Sequence, residues 1–424
     1  MMRPMKDSGI EWIGKIPEGW GEVMLSSLFC EHKQKNEGMQ CNNLLSLSYG
    51  KIIRKSIDTS EGLLPGSFEG YNIIDKGDIV LRLTDLQNDH KSLRTGLATE
   101  RGIITSAYVT IRLDVNEIAS SKYMHYFLHS FDVAKGFYGM GDGVRQSLPF
   151  EGCKKITLLL PPLAEQQAIA DYLDEKCAAI DKLIDNQKVQ IEKMKEYKQS
   201  VITEAVTKGL NPSVPMKDSG IEWIGKIPEE WGEVMLSSLF CEHKQKNEGM
   251  QCNNLLSLSY GKIIRKSIDT SEGLLPGSFE GYNIIDKGDI VLRLTDLQND
   301  HKSLRTGLAT ERGIITSAYV TIRLDVNEIA SSKYMHYFLH SFDVAKGFYG
   351  MGDGVRQSLP FEGCKKITLL LPPLAEQQAI ADYLDEKCAA IDKLIAVKQA
   401  KIDKLNDYKK SLIYEYVTGK REVL

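Results

Sequence analysis

The sequence is a tandem duplication of one long module. Residues 5–184 and 216–395 align at a constant offset of 211, and the only difference over those 180 positions is Gly19 against Glu230. A repeat of this length is domain-sized, so each copy can fold around its own core. Two equivalent surfaces are therefore expected in one chain, whether the duplication is a recent natural event or an engineered one.

The repeat and the shifts in composition predict an α+β chain with six parts. The predicted parts are an N-terminal arm at 1–24, a mixed α/β domain at 25–160, a central long helix at 161–210, a linker and second arm at 211–235, a second mixed α/β domain at 236–371, and a C-terminal long helix at 372–424.

The region after each mixed domain has the pattern of a long coiled-coil helix. Residues 163–208 contain no proline or glycine, and Gly209 then Pro212 mark the end. Apolar residues recur at alternating spacings of four and three, with Gln187 and Lys198 as polar interruptions. At the rise of an α-helix, this segment would be roughly 65–70 Å long. The first copy's predicted seam is Leu173, Cys177, Ile180, Ile184, Gln187, Ile191, Met194, Lys198, Val201 and Ala205, and the second copy's is Leu384, Cys388, Ile391, Ile395, Ile402 and Leu405.

A helix of this length cannot bury an apolar stripe by itself, so the two long helices are expected to pair with each other. Each mixed domain precedes its helix. An antiparallel pair would therefore relate the two copies by a pseudo-twofold axis, and residues 209–235 would carry the chain back to the second arm. The expected architecture is two mixed domains joined by an antiparallel coiled coil.

Within one copy, three further patterns predict local structure. The tryptophan-rich arm should dock Trp12, Ile13 and Trp20 on the globular body. The segment IIDKGDIVLRLTDL predicts a strand entered through a turn at Lys76-Gly77-Asp78, and GIITSAYVTIRL predicts a second strand. KKITLLLPP predicts a short strand stopped by prolines. The segment from Ser120 to Phe137 has helical spacing of apolar residues.

Composition excludes some classes of function but does not identify one. The net charge of −4 does not indicate a nucleic-acid binder, so any positive surface must be local. No apolar stretch is long enough to span a membrane, and the first residues lack a secretory core, so a cytoplasmic protein is expected. The eight cysteines form no C-x-x-C pair and are expected to be free thiols.

No assembled set of catalytic or metal-binding residues stands out. Gly9 to Lys15 fits the spacing G-x-x-x-x-G-K, but Ile16 follows where a P-loop requires Ser or Thr. His125 and His129 are four residues apart on a predicted helix, yet Tyr126 stands where a zinc protease has Glu. We therefore expect no catalytic, metal-binding or cofactor-binding residue in this chain.

Several motifs together resemble the specificity subunits of type I restriction-modification systems. They are the arm DSGIEWIGKIPEGW, the central GLNPSVPMKDSGIEWIG, the strand GDIVLR, the segment GIITSAYVTIRL, RQSLPF, and above all LPPLAEQQAIADYLDEKCAAIDKLI, which occurs twice before a long helix. The resemblance covers essentially the whole chain.

The resemblance implies a non-catalytic subunit that gives a restriction-modification complex its DNA sequence specificity. Its two target-recognition domains would each read one half of a split site in double-stranded DNA. Its helices would set the spacing and dock two methyltransferase subunits, which bind S-adenosylmethionine and methylate adenine. Restriction subunits would add ATP-driven translocation and cleavage, with ATP and magnesium in the partners rather than in this chain.

The identity of the two copies departs from the family pattern, in which the two recognition domains commonly differ. Two identical domains related by an inversion would read a palindromic site with an unspecified spacer. Two alternatives remain open: a coiled-coil scaffold that binds only proteins, and a specificity-like subunit of a fused restriction-methylation system. A complete fused restriction-methylation enzyme would need a methyltransferase motif set, which the sequence lacks.

Three polar segments per copy are candidates for contacting DNA, because protruding loops on a rigid scaffold often carry binding residues. They are Ser48–Lys55, Arg82–Arg94 and Tyr138–Gln146, with mates 211 residues later. The candidate residues are Tyr49, Lys51, Arg54, Lys55, Arg82, Asn88, Lys91, Arg94, Arg145 and Gln146 in the first copy, and Tyr260, Lys262, Arg265, Lys266, Arg293, Asn299, Lys302, Arg305, Arg356 and Gln357 in the second.

The repeated helix start, Ala164–Leu173 and Ala375–Leu384, is the candidate contact for the methyltransferase subunits. The sequence does not separate this role from that of simply starting the coil.

Overall fold

A computed structural model describes residues 3–57, 66–89, 92–141, 143, 146–268, 277–300, 303–352 and 357–423. The chain forms two compact units. The first unit is Met1–Lys188 with Gln399–Leu424, and the second unit is Val189–Lys398. Each unit thus contains one copy of the mixed domain and a segment from each long helix.

The first copy contains thirteen strands and three helices in its described residues. The strands are β1 (Met5–Asp7), β2 (Lys15–Pro17), β3 (Gly21–Met24), β4 (Phe29–Glu31), β5 (Gln34–Lys35), β6 (Leu45–Ser48), β7 (Lys51–Arg54), β8 (Asn72–Ile74), β9 (Ile79–Leu81), β10 (Thr95–Leu97), β11 (Gly102–Ile104), β12 (Val109–Leu113) and β13 (Thr157–Leu160). The helices are α1 (Ser121–Val133), α2 (Phe150–Cys153) and α3 (Leu163–Lys208).

The second copy repeats these elements in the same order. Its strands are β14 (Met216–Asp218), β15 (Lys226–Pro228), β16 (Gly232–Met235), β17 (Phe240–Glu242), β18 (Gln245–Lys246), β19 (Leu256–Ser259), β20 (Lys262–Arg265), β21 (Asn283–Ile285), β22 (Ile290–Leu292), β23 (Thr306–Leu308), β24 (Gly313–Ile315), β25 (Val320–Leu324) and β26 (Thr368–Leu371). Its helices are α4 (Ser332–Val344), α5 (Phe361–Cys364) and α6 (Leu374–Val417).

Each mixed domain is built from small antiparallel sheets. In the first copy, the four-stranded sheet has the order β10-β9-β12-β4 and the three-stranded sheet has the order β11-β8-β5. The hairpin β6-β7 and the pairs β1-β2 and β13-β3 complete the set. Strand β9 is buried on both faces, which explains its uninterrupted apolar sequence Ile79-Val80-Leu81.

The segment GIITSAYVTIRL does not form the single strand that its composition predicts. It forms β11 and β12, which belong to different sheets, with a turn between them in which the Tyr108 amide donates to the Thr105 carbonyl at 3.3 Å. The segment is rich in β-branched residues, which favour strands without specifying where one ends. The turn predicted at Lys76-Gly77-Asp78 is present: it separates β8 from β9, and Gly77 has a φ of 98°.

Two glycines let the hairpin β6-β7 lie directly on the sheets beneath it. A Cβ on Gly96 would lie 2.5 Å from Leu47 Cδ1, and a Cβ on Gly102 would lie 2.4 Å from Leu45 Cδ1. Leu45 and Leu47 are buried on the inner face of the hairpin, together with Val80. The alternation of leucine and serine along β6 therefore fixes which face of the hairpin points outward.

The arm docks as its aromatic residues predict. Trp20 is buried, and its indole nitrogen donates to Glu165 Oε2 at 3.0 Å, at the start of α3. Trp12 packs against Phe127 of α1 and Tyr414 of α6, with ring centroids 5.7 and 6.1 Å apart. The arm thus joins the mixed domain to both helix segments of the first unit.

Within each unit the two helix segments run antiparallel. In the first unit, Tyr172 stacks on Tyr416 with centroids 4.6 Å apart, and Asp181 accepts a hydrogen bond from Lys409 Nζ at 2.6 Å. As the residue number on α3 increases from Tyr172 to Asp181, the residue number of the contacting residue on α6 decreases from Tyr416 to Lys409. In the second unit, Gln190 pairs with Lys398 and Lys198 pairs with Asp392 in the same sense. The predicted long antiparallel helices are confirmed.

The predicted seam residues lie on the covered face of these helices. Leu173, Cys177, Ile180, Ile184 and Ile191 are buried. The two polar interruptions differ in how they are accommodated: Gln187 is buried, whereas Lys198 is half-buried and donates to Asp392 Oδ1 at 2.7 Å.

Each long helix ends against the tryptophan of an arm. Gly209 has a φ of 75°, and a Cβ there would lie 2.8 Å from Glu376 Oε1 and 3.3 Å from Trp231. Gly419 has a φ of 70° and would clash with Pro17 in the same way. Glycine is required by both the left-handed conformation and the lack of space.

Across the described residues, no helix combines the length and apolar character needed to cross a membrane. All eight cysteines, which lie in the described part of the chain, are free thiols.

The packing of the second unit predicts the behaviour of a half-length chain. Its core includes Ile202 and Val206 of α3, packed against a mixed domain whose sequence is also present in the first copy. Residues 1–210 should therefore form a homodimer in which each α3 covers the other chain's domain. Sedimentation at micromolar concentration should show the dimer. Ile202→Asp should give a monomer, whereas Lys193→Asp at an exposed position should not. A monomer from the unaltered half-chain would contradict this packing.

Candidate nucleic-acid interface

The first predicted segment, Ser48–Lys55, is a hairpin tip rather than a loop. Strands β6 and β7 are joined by two residues, Tyr49 and Gly50, with φ values of 45° and 80°. Positive φ at both positions is the geometry of the tight turns that match the twist of a hairpin. The Tyr49 side chain is 79% exposed, and that of its mate Tyr260 is 81% exposed. The turn therefore holds an aromatic ring in solvent.

Two of the hairpin's cations already have carboxylate partners. Lys51 Nζ donates to Asp181 Oδ2 at 2.6 Å, and Arg54 donates to both oxygens of Glu100. Lys262 and Arg265 repeat these pairs with Asp392 and Glu311 in the second unit. Lys55 and Lys266 are exposed. Exposed ion pairs contribute little to stability, so an exposed cation such as Arg54 can leave its carboxylate partner for a phosphate with little loss of folding free energy.

Asp181 is a shared acceptor between the hairpin and the helices. Burial opposes its ionisation, but hydrogen bonds from Lys409 and Lys51 outweigh that effect and hold the pKa of Asp181 below its ordinary value. Asp392 takes the same position between Lys198 and Lys262, and its pKa is lowered in the same way. Each hairpin is thereby tied to both helix segments of its own unit.

The second predicted segment meets the hairpin at a shallow cleft. Arg82 donates to Ser92 Oγ at 3.4 Å and lies 3.3 Å from Asp89 Oδ2. Asn88 donates to Asp85 Oδ1 at 2.7 Å and so stabilises its own turn. The residues that line the cleft are Leu47, Ser48, Tyr49, Arg82, Ser92 and Leu93.

Arg94 does not reach the surface, and neither does its mate Arg305, so these two predicted DNA contacts are corrected. The Arg94 side chain is fully buried. Its guanidinium donates to the carbonyls of Arg82 at 3.1 Å and Thr84 at 3.0 Å, and also to those of Asp85 and Asp89. Arg305 makes the same set of bonds. These arginines support the segment from within, because their donors are used by its backbone.

The third predicted segment joins the second by backbone hydrogen bonds. The Leu86 amide donates to the Gln146 carbonyl at 3.1 Å, and the Leu148 amide donates to the Leu83 carbonyl at 2.8 Å. Gln357 makes the equivalent bond in the second copy. The side chains of Gln146 and Gln357 are half-buried. Lys91, Arg145, Lys302 and Arg356, which were also predicted to contact DNA, lie outside the described residues.

The three segments therefore converge on one face of each domain. Three of the five non-glycine residues with positive φ in the described part of the first copy lie in them: Tyr49, Asp85 and Gln146. Strained backbone of this kind persists where the surrounding structure over-determines it, and it clusters at binding sites. The mates Tyr260, Asp296 and Gln357 have the same conformation.

Buried ionisable groups lie behind this face. The Arg94 amide donates to Asp132 Oδ2 at 2.7 Å, and burial raises the pKa of Asp132 to about 6. Burial lowers the pKa of His125 to about 4 and that of His129 to about 3. The two histidines are thus neutral residues packed in the domain, which sequence alone leaves undecided between solvent and core edge.

Another acidic cluster has its charge balanced from within the domain. His32, Asp75 and Asp78 come together with ligand atoms within 4.8 Å of one another. Arg112 donates to both oxygens of Asp78 at 2.7 Å and to Asp75 at 2.8 Å. Its guanidinium supplies the positive charge that a cation would otherwise bring. Arg112 therefore joins strands β9 and β12 near the turn, rather than simply facing solvent as its place at a strand end suggests.

The start of α3 contains an anchor that the sequence did not reveal. Gln166 is fully buried, and its amide donates to the carbonyls of Ile118 at 2.9 Å and Pro161 at 2.7 Å while accepting from the Ser120 amide at 2.9 Å. Gln377 makes the same bonds in the second copy. The only indication in the sequence is a glutamine in register with the apolar positions Ile169, Ala170 and Leu173.

No family model matches this chain. Two curated proteins of Methanocaldococcus jannaschii are similar over nearly its whole length. The type I restriction enzyme MjaVIII specificity subunit is 24% identical over 96% of this chain and 94% of its own length. The putative type I restriction enzyme MjaX specificity subunit is 25% identical over 97% of this chain and 96% of its own length.

A solved structure from work on complex assembly and conformational transition of the type I R-M system superposes with a TM-score of 0.63. The two sequences are 14% identical, and the superposition covers 96% of this chain and 99% of the chain in the solved structure. The fold expected from the sequence, mixed domains joined by long helices, is thereby confirmed. The resemblance to specificity subunits of type I restriction-modification systems is also confirmed.

The buried arginine predicts a sharp difference between two substitutions. Arg94→Met should lower the free energy of unfolding of the first unit by about 3 kcal/mol, because it removes a buried guanidinium that donates to four partly buried backbone carbonyls. Arg54→Met, at an exposed position, should change it by about 0.5 kcal/mol or less. Urea unfolding of the full chain measures both. Equal effects would show that Arg94 does not support the segment.

The buried histidines predict acid sensitivity. His125 and His129 have lowered pKa values, so their stabilising effect is present above about pH 6.5 and is lost as the pH falls toward 4. Each should lower stability by about 1.4 kcal/mol per pH unit in that window. Asp132 has a raised pKa, so its protonation below about pH 6 stabilises the folded state as the pH falls. This gain offsets the loss of stability caused by one of the two histidines.

Unfolding midpoints measured from pH 7 to 4.5 should therefore decrease in the unaltered chain. The decrease should be smaller when both His125 and His129 are replaced by glutamine. A flat profile in the unaltered chain would contradict the neutral, buried state of these histidines.

Proposed function

We propose that this chain is the DNA-specificity subunit of a type I restriction-modification complex. Each mixed domain binds one half of a bipartite site in double-stranded DNA through the face on which its three polar segments converge. The observation that carries this proposal is the presence of that face, with the same geometry, in two domains seated on antiparallel helix segments. The curated relatives named as specificity subunits support it.

The two half-sites are the same sequence. Every described contact residue of the first copy has an identical mate, and the one difference in the repeat, Gly19 against Glu230, lies in the arm. With the inverted arrangement expected from the repeat, the full site is a palindrome interrupted by an unspecified spacer.

The chain gives the complex its specificity and leaves the chemistry to its partners. Two methyltransferase subunits that use S-adenosylmethionine would modify the site, and restriction subunits that use ATP and magnesium would complete the complex. The helix starts Ala164–Leu173 and Ala375–Leu384 are suited to docking the methyltransferases. One side of each is fixed to its own domain through Gln166 or Gln377, while Ala164, Gln167, Ala168 and Asp171 remain exposed.

A protein-binding scaffold without DNA specificity is the competing function. It accounts for the helices but gives no reason for two copies of a strained, polar face with an exposed tyrosine at its edge. A complete enzyme, with restriction and methylation fused in one chain, would need a methyltransferase motif set, which this sequence lacks.

Methylome sequencing of cells that express this chain with its methyltransferase partner tests the proposal. We expect one bipartite motif whose two halves are reverse complements, because both halves are read by identical residues. Cells with the methyltransferase alone are the control and should lack the motif. An asymmetric motif would refute the palindrome, and the absence of any motif would favour the scaffold.

A further inference from the structure

One arginine in each cleft differs from the other cations of the face in how its donors are used. The Arg54 fork is already engaged by both oxygens of Glu100, and Lys51 is held by Asp181. Arg82 meets its neighbours singly, through Ser92 Oγ at 3.4 Å and Asp89 Oδ2 at 3.3 Å. A guanidinium has five N–H donors, so these contacts orient its plane without using up the fork.

The backbone behind Arg82 is fixed. The Arg82 amide donates to the Arg94 carbonyl at 2.8 Å, and the buried Arg94 guanidinium returns a bond to the Arg82 carbonyl at 3.1 Å. Strand β9 ends at Leu81, immediately before it, with all three of its residues fully buried. Arg82 thus follows directly on a fully buried strand, and its side chain is one-third exposed.

An exposed aromatic ring shares the cleft with Arg82. Tyr49 lines the same cleft as Arg82 and is exposed at the tip of the hairpin. In the second copy, Arg293 makes the matching contacts, 3.2 Å from Asp300 Oδ2 and 3.3 Å from Ser303 Oγ, and Tyr260 is exposed as well. A planar cation beside an exposed ring is suited to a flat, polar ligand with two adjacent acceptors.

From this geometry we infer that Arg82 and Arg293 each read a guanine, one in each half-site. The O6 and N7 atoms of guanine are two acceptors on one edge in the major groove, and an arginine fork matches them in a bidentate contact. Asp89 and Ser92 hold the fork in plane, and Tyr49 packs beside the base or its sugar. Arg54 and Lys55, which are exposed, contact phosphate instead. This assignment rests on the proposed function and identifies one base in each half-site.

Because the two copies are the same, a change in one copy leaves the other as an internal control. Arg82→Lys keeps the charge and removes the fork, so methylome sequencing should show the guanine relaxed in one half of the motif only. Arg82→Lys with Arg293→Lys should relax both halves. Arg54→Met is the matched control and should reduce the extent of methylation without altering the motif.

A second measurement changes the DNA, so its main comparison uses only the unaltered chain. In duplexes with 7-deazaguanine at the assigned position, the N7 acceptor is absent. The complex that contains the unaltered chain should bind such duplexes about tenfold more weakly than the natural duplex. The complex that contains the double lysine variant should bind both duplexes equally.

Three results would overturn the assignment: a motif without guanine in its halves, an unchanged motif with Arg82→Lys, or unaltered binding to the 7-deazaguanine duplex. Uniformly weaker methylation with Arg82→Lys and an unchanged motif would identify a phosphate contact instead. The absence of any motif from the unaltered chain is a different result, because it would contradict the proposed function itself.

Discussion

The burial of one apolar stripe on each long helix is the interaction on which the rest of the molecule depends. Burying a leucine or isoleucine contributes about 1.5–3 kcal/mol, and each helix segment has several such residues. Within a unit, the segment from one helix is covered by a segment from the other and by the mixed domain. Lys51, Trp20 and Gln166 then attach the hairpin, the arm and the domain body to this support.

In the proposed binding face, the residues that hold the backbone in place are different from those that are available to contact DNA. Arg94 and Asp132 are buried and hold the backbone of the second segment, while Arg82 of that segment and Tyr49 of the hairpin line the cleft. A site built in this way can change the base that it reads by changing an exposed residue, since the donors that fix its backbone come from elsewhere. Both copies use the same device, down to the strained conformations of Tyr260 and Gln357.

The parts of this fold that were predictable are those with long periodicity or strong chain terminators. The 4-3 spacing from Leu173 to Ala205 identified the helices and their buried face, because only that face can be covered by a partner helix. Short strands were harder: β11 and β12 form one β-branched run in sequence, and only the tertiary structure places them in different sheets.

The candidate site shows the same limit. Arg82 and Arg94 lie twelve residues apart in one polar segment, and no local feature distinguishes an exposed arginine from a buried one. The difference arises from backbone carbonyls that converge on Arg94 only after the segment has folded. Convergence of the three segments could be guessed from their polarity, whereas the Lys51–Asp181 pair spans 130 residues and could not.

The division of the helices between units has a consequence for synthesis on the ribosome. The second unit, Val189–Lys398, is one continuous stretch of chain and can fold once that stretch has emerged. The first unit lacks its last helix segment until Gln399–Leu424 has been made. Chains usually fold from the N-terminus onward during synthesis. Here the domain that is translated first is completed last, and Tyr172 and Asp181 lack their partners Tyr416 and Lys409 until that segment has been made.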